Sequence, residues 1–361
     1  MRIPRFCIFC VIAVVSLILA ACSKAEPSSA HSAEPERTEL ARAEPTRVEF
    51  VLDTVCSVTL FDGAKDSIYR DIFGRLREIE NHMSPYIEGS DISRVNAAAG
   101  KAPVQVHDDT FKVIERAVYF AGLSNGAFDP TVGPLVSLWG ITGDHPRVPS
   151  RAEIDAVLRL INWRDIELNK EQRSVFLKRP GMALDLGAIA KGYAADEVQA
   201  IIEKAGLKRA IIDLGGNVST YGEKTDKSPW KVGVQDPLKE RNDYIGIVQG
   251  PAQTVVTSGV YERFFIGPDG VRYHHIFNPS TGYPTNNGFL SVSIITGCSM
   301  DADALSTAVF VLGYEKGRAL VESLKGIEAV FIFDDKSVRK TKGANFILTD
   351  KDYRLVDERG Y

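Results

Sequence analysis

Asp303 and Thr307 stand four residues apart in the run Met300-Asp301-Ala302-Asp303-Ala304-Leu305-Ser306-Thr307-Ala308-Val309. On a helix that spacing stacks them on one face, with Ser306 at its border. Carboxylate and hydroxyl oxygens are hard donors of the kind Mg²⁺ selects. Asp301 has a simpler explanation, since an acid near a helix start is favoured by the helix dipole. Capping and Ser/Thr back-bonding are the plain alternative for the whole group. A second charged pair lies in residues 182–196. Asp185 precedes Gly187, Lys191 follows it, and after Gly192 a helical pattern continues through Val198, Ile201 and Ile202. The stretch reads as a strand-to-helix junction bent at two glycines, where backbone can come close to a ligand. A helix N-terminus there offers free N–H groups and a positive dipole end to anions. Opposite charges in one small volume suit a phosphate ester held with a metal. The glycine spacing matches neither a Walker loop nor a Rossmann fingerprint. Taken alone, the stretch is equally a structural corner with a surface lysine.

Residues 126–140 contain Gly126, Pro130, Gly133, Pro134 and Gly140, which predicts a fixed, sharply turned loop. Phe128 near its centre is placed to stack on a planar ring, or else to plug the loop. His274 and His275 are adjacent, and on a strand they point to opposite faces, so at most one serves a given site. His275 is the candidate. Residues 230–237 read as a strand followed by a turn.

The elements that must position these residues are legible from periodicity. Residues 48–60 read as a strand pair or one bent strand. Residues 66–83 have helical spacing through Ile68, Ile72, Leu76 and Ile79, and 109–123 are amphipathic. Residues 91–96 form a short turn or helix. Ser150 and Glu153 form a capping box before Ile154 and Val157. Strands are expected at 175–177, 210–214, 230–234, 248–256, 290–296, 329–333 and from 338 on. Gly267-Pro268-Asp269-Gly270 marks a hairpin between 261–266 and 271–277. Ser299 is expected to cap a helix to Leu312, with a second over 314–324. Hairpins mixed with helix crossovers favour an α+β domain, a mostly antiparallel sheet flanked by helices. Asp303 is expected in a wet cleft, where its loss costs little stability.

The chain has 361 residues, 44% hydrophobic and 25% charged, an ordinary globular balance. A formal charge of −4 and a pI near 6.0 give no basic footprint for nucleic acid. Arg2 and Arg5 precede an apolar run over 6–19 that has signal-peptide length rather than spanning length. It ends Leu19-Ala20-Ala21-Cys22, which resembles the lipobox of bacterial lipoproteins. That resemblance implies cleavage before Cys22, a lipid on Cys22, and a bacterial cell-envelope protein anchored facing the periplasm. Residues 1–21 are then the signal peptide, 22–46 a Ser/Ala/Glu/Pro-rich tether that cannot build a core, and 47–361 one folded domain. Cys56 and Cys298 lie far apart in apolar surroundings and are expected as buried free thiols.

Taken together, several segments resemble the flavin transferases of the thiamine-biosynthesis lipoprotein ApbE family. They are Phe128 to Leu135, Leu184 to Asp196, Asp213-Leu214-Gly215-Gly216-Asn217, Val232 to Pro237, His275 to Pro284, and Ala302 to Ala308. They span most of residues 48–345, and jointly they are specific. The resemblance implies an enzyme that binds FAD and uses Mg²⁺ to transfer FMN to a Thr or Ser of a target flavoprotein, releasing AMP. Some members hydrolyse FAD to FMN and AMP, and a non-catalytic flavin-binding lipoprotein is a further alternative. By position, the Ala188 carbonyl, Asp303 and Thr307 match metal ligands, with Ser306 alongside. Asp185 and Lys191 match nucleotide contacts. Ala127, Phe128 and Asp129 match the loop beside the ligand, and Tyr86 an aromatic contact. Leu52 belongs to the rim, and His275 is the candidate base. One departure stands out: the family's Met-Gly-Thr is here Leu52-Asp53-Thr54, so Asp53 replaces a glycine that leaves room near the ligand.

Overall fold

The computed structural model describes residues 46–241 and 243–356. The expected lipobox, Cys22 and nearly all of the tether lie outside the described residues. Those described include eight α-helices and a nine-stranded sheet. The helices are α1 (Asp66–Met83), α2 (Asp91–Ala97), α3 (Asp108–Leu123), α4 (Gly133–Trp139), α5 (Arg151–Leu158), α6 (Ala190–Lys204), α7 (Ser299–Leu312) and α8 (Tyr314–Glu322). No helix among the described residues is long and apolar enough to cross a membrane.

The large sheet runs in chain order: Thr46–Val51, Thr54–Leu60, Ala210–Leu214, Asn217–Tyr221, Thr254–Gly259, Phe289–Thr296, Glu328–Phe333, Ser337–Lys340 and Arg354–Leu355. Neighbours pair antiparallel except the last two strands, which are parallel. Strand alternation sends each face to a different core. Val256, Ile294, Ala329 and Phe331 face the helices. Val255, Ile295, Val330 and Ile332 face a three-stranded sheet of Trp230–Gln235, Tyr244–Gly250 and Phe346–Leu348. A third, smaller core gathers Leu135, Trp139, Ile154 and Phe277. There the Trp139 indole donates to the Gly282 carbonyl at 2.9 Å, tying α4 to the segment that carries His275.

The expected mixed α+β class holds, and most expected elements appear. Three differ in detail. Residues 133–139 form helix α4 rather than continuing a loop, because Pro134 sits in the first turn, where its missing N–H costs nothing. Residues 182–187 make one isolated bridge, Ala183 with Val132, rather than a strand. Helix α6 begins at Ala190, so Gly192 lies inside its first turn. Cys56 and Cys298 are free thiols, Cys56 buried and Cys298 half-buried.

Candidate active site

Helix α7 carries Asp303 and Thr307, and its start is fixed by two other helices. Ser299 does not cap it. Cys298 holds the cap position without a capping bond from its own side chain, and the cap comes from α6. Asp196 accepts from the Ser299 and Met300 amides at 2.8 and 2.9 Å. Burial pushes the Asp196 carboxyl up, opposed by these bonds. Arg116 on α3 donates twice to Asp301, at 2.8 and 2.6 Å. The close crossing of α6 and α7 requires glycine at 192, because a Cβ there would stand 2.2 Å from the Ser299 carbonyl oxygen. At the same crossing Asp303 accepts from the Gly192 amide at 2.9 Å. Asp303 is only 4% exposed, so it is a buried helix-joining acid as well as a cavity residue, which corrects the wet-cleft expectation.

A cavity of about 310 Å³ opens beside this crossing. Asp185 and Ala188 line it from the bend before α6, Lys191 from the first turn of that helix, and Asp303 and Thr307 from α7. Asp185 accepts from the Gly187 amide at 2.8 Å, and its own amide donates to the Pro130 carbonyl at 2.9 Å. Burial raises its carboxyl, opposed by Gly187, Lys191 and Arg263. The Lys191 ammonium donates to the Gly187 carbonyl at 3.1 Å and lies 3.9 Å from an Asp303 oxygen. The Thr307 hydroxyl bonds to Ser258 at 3.4 Å. Ser306 is turned away: fully buried, it donates to the Asp303 carbonyl at 2.9 Å and pairs with Ser258 at 2.8 Å. It is absent from the cavity wall.

Ala127, Phe128 and Asp129 form another part of the wall. Phe128 is 3% exposed and set into it. The Asp129 carboxylate shapes the loop, accepting from the Thr131 amide and hydroxyl at 2.8 and 2.6 Å and from the Trp163 amide at 3.1 Å. Tyr86 stands at the rim, 71% exposed, with Leu52 also lining the opening. The two histidines diverge: His274 ends the strand Arg272–His274, and His275 follows in a bend rather than on the strand expected. His274 is buried with Nε2 2.8 Å from the Thr285 carbonyl oxygen and its ring edge-on to Phe310. His275 lines the cavity. Its Nδ1 is 3.2 Å from the Arg263 carbonyl oxygen, which only accepts, so Nδ1 carries the proton and the Nε2 lone pair is left free. Burial pushes the imidazole down to about 3, so it is neutral at neutral pH.

Asp53 does not fill the cavity. Leu52 and Asp53 form the two-residue turn between the first two strands, with φ of 57° and 55°. This left-handed conformation favours glycine. The Asp53 carboxylate reaches out to Arg263 at 2.8 Å. Sequence reading missed Ser258 and Arg263. Ser258 follows Thr257 near the end of the strand Thr254–Gly259, after the apolar Val255 and Val256, a visible signal, whereas the Arg263 side chain is placed by a partner 210 residues away.

Among the described residues no group of three or more His, Cys, Asp or Glu side chains is arranged for a metal. The oxygen set here is different: a carboxylate, a hydroxyl and backbone carbonyls. It already accommodates a cation, the Lys191 ammonium between the Gly187 carbonyl and Asp303. Its all-oxygen chemistry fits Mg²⁺.

The family model described as the ApbE family matches residues 52–331. An FAD:protein FMN transferase of Treponema pallidum is 39% identical over 333 residues, covering 88% of this chain and 92% of that protein. The crystal structure of the ApbE protein of Thermotoga maritima superposes with a TM-score of 0.75 at 35% identity, covering 82% of this chain and 97% of that one. The flavin transferase ApbE of Vibrio cholerae gives 0.72 at 29% identity, covering 84% and 95%. With the cavity and the motif segments in place, this chain belongs to the ApbE family.

Proposed function

We propose that this chain is an FAD:protein FMN transferase, moving FMN from FAD to a Thr or Ser hydroxyl of a target flavoprotein and releasing AMP. The observation that carries this reading is the meeting, in one cavity, of Lys191, Asp303 and Thr307 with the aromatic side chains Phe128 and Tyr86 and a neutral His275. Asp303, Thr307 and the Ala188 carbonyl would hold Mg²⁺, which when bound neutralises diphosphate charge and orients it for attack. Lys191 adds a point charge on a phosphate. The aromatic faces orient the planar ring. His275 takes the proton of the acceptor hydroxyl at its free Nε2 as that oxygen forms a bond to the FMN-side phosphorus, the negative diphosphate beside it offsetting the burial that holds the imidazole low. The bond from that phosphorus to the AMP oxygen breaks, and AMP leaves with the electron pair. Incubation with FAD and Mg²⁺, with and without an acceptor flavoprotein, tests the reading. AMP formed only with the acceptor, with flavin becoming covalent, supports transfer. AMP without acceptor assigns a pyrophosphatase, and FAD retained without AMP a flavin-binding protein. We further propose that Cys22 is lipidated and anchors the chain to a bacterial membrane, facing the periplasm. Cys22→Ser would then leave the protein unprocessed or release it from the membrane fraction.

A further inference from the structure

Arg263 belongs to no motif singled out above, yet it sits where the cavity meets a second opening. An outer cleft of about 360 Å³ shares Asp53, Thr142, Glu262 and Arg263 with the inner cavity. Arg263 crosses this shared rim. Its guanidinium donates to the Asp53 carboxylate and to the Asp53 backbone carbonyl, each at 2.8 Å. Its own backbone is fixed from the other side, because the Arg263 carbonyl accepts from the His275 amide at 3.1 Å. The base of the side chain is therefore rigid, while its tip rests on a partner that is 71% exposed. An ion pair so open to water holds weakly.

The partner turn is itself unusual. Two consecutive non-glycine residues occupy the left-handed region there. Such turns persist where surrounding contacts over-determine them, and they cluster at ligand clamps. Here those contacts are the two bonds from Arg263 and a 3.3 Å bond from the Asp53 amide to Glu80.

The charge on the wall leaves one role open. Among the described residues lining the cavity, the permanent cations are Lys191 and Arg263, set against Asp53, Glu80, Asp129, Asp185, Glu262 and Asp303. Lys191, the point charge on one phosphate, is anchored by the Gly187 carbonyl and Asp303 on the inner wall, which leaves the other phosphate of a diphosphate without a cation. A guanidinium makes bidentate, charge-assisted bonds to phosphate oxygens that are stronger than an exposed pair with a carboxylate.

We propose that Arg263 is a phosphate-binding residue held in reserve: Asp53 parks it on the cavity rim, and the diphosphate of an arriving nucleotide takes it over. The proposal deepens the flavin-nucleotide reading and rests on it. On this account Asp53 sets how readily Arg263 is released.

The test is equilibrium binding of FAD, ADP and riboflavin to the full chain at fixed Mg²⁺, read by calorimetry, with melting curves as a folding control. Arg263→Gln is expected to weaken FAD and ADP on the order of tenfold or more, the effect of losing a charged hydrogen bond. Riboflavin, which has no phosphate, keeps its affinity. Arg263→Lys falls between, since it keeps the charge and loses the fork. Asp53→Asn tightens ADP in the presence of Arg263, and that gain disappears in the Arg263→Gln background. Unchanged ADP affinity in a folded Arg263→Gln protein overturns the proposal, as does an equal loss for riboflavin. An undiminished Asp53→Asn gain without Arg263 refutes the parking role. Wild-type protein that binds ADP but no flavin would refute the flavin reading alone, with the ADP series still deciding Arg263.

Discussion

Asp303 has two roles in the structure, and two substitutions separate them. The carboxylate is 4% exposed, accepts from the Gly192 amide at 2.9 Å and faces Lys191 at 3.9 Å. Asp303→Ala leaves the Gly192 N–H without its acceptor inside the α6–α7 crossing, which costs about 1–3 kcal/mol. At ~2.1 cal/mol/K per residue, a domain of about 300 residues shifts by roughly 1.6 °C per kcal/mol, so the melting midpoint falls about 2–5 °C. Asp303→Asn keeps a side-chain carbonyl for that amide, so the midpoint stays near wild type. Both variants lose the charge, so both lose AMP release, and added Mg²⁺ restores neither. Thermal melts with a coupled AMP assay across a Mg²⁺ series read both effects. If Asp303→Asn melts as low as Asp303→Ala, the amide bond is not what holds the crossing. If either variant releases AMP at the wild-type rate, the charged-ligand role is wrong.

Thr307→Val is expected to be milder, raising the Mg²⁺ needed for half-maximal AMP release without abolishing it, because water replaces a neutral ligand. Gly192→Ala forces a methyl against backbone 2.2 Å away. It should cost about 1–3 kcal/mol or more and lower activity, seen together in melts and AMP assays; an unchanged midpoint would show that the helices part freely. His275 makes stability depend on pH. Its folded value is depressed to about 3, below the ~6.5 of an unfolded histidine. Its contribution is therefore complete above pH ~6.5 and drains away as pH falls toward the folded value, by up to ~1.4 kcal/mol per pH unit. His275→Gln should flatten the slope of urea-unfolding free energy over that window by one proton; an unaltered slope refutes its burial as a neutral base.

How far the sequence could be read follows from the range of the forces involved. The spacing of Asp303 and Thr307 and the capping box at Ser150 are consequences of local geometry, and each appears as expected; His274 and His275 part as expected, although only His274 is on the strand. What sequence could not supply are partners from elements far apart in the chain. The cap on α7 looked local to Ser299, but it comes from Asp196. Ser306 has the right spacing for a ligand, yet Ser258 on a distant strand claims its hydroxyl. Burial of Asp303 depends on Gly192 allowing two helices to touch, which no periodicity encodes. The glycine-to-aspartate exchange at 53 looked like an obstruction until Arg263 showed where the side chain goes.

The α6–α7 crossing also sets when during synthesis the site comes into being. Gly192 and Asp303 are 111 residues apart. A chain emerging N-terminus first carries Asp185 and Lys191 long before α7 exists to receive them. Until the far helix docks, the nascent polypeptide has an unfinished binding surface, and closing so long a loop is a slow, late event. Truncation before Asp303 therefore removes both α7 oxygens and the acceptor of the Gly192 amide together, and the wall residues made earlier wait for that one helix to close the cavity.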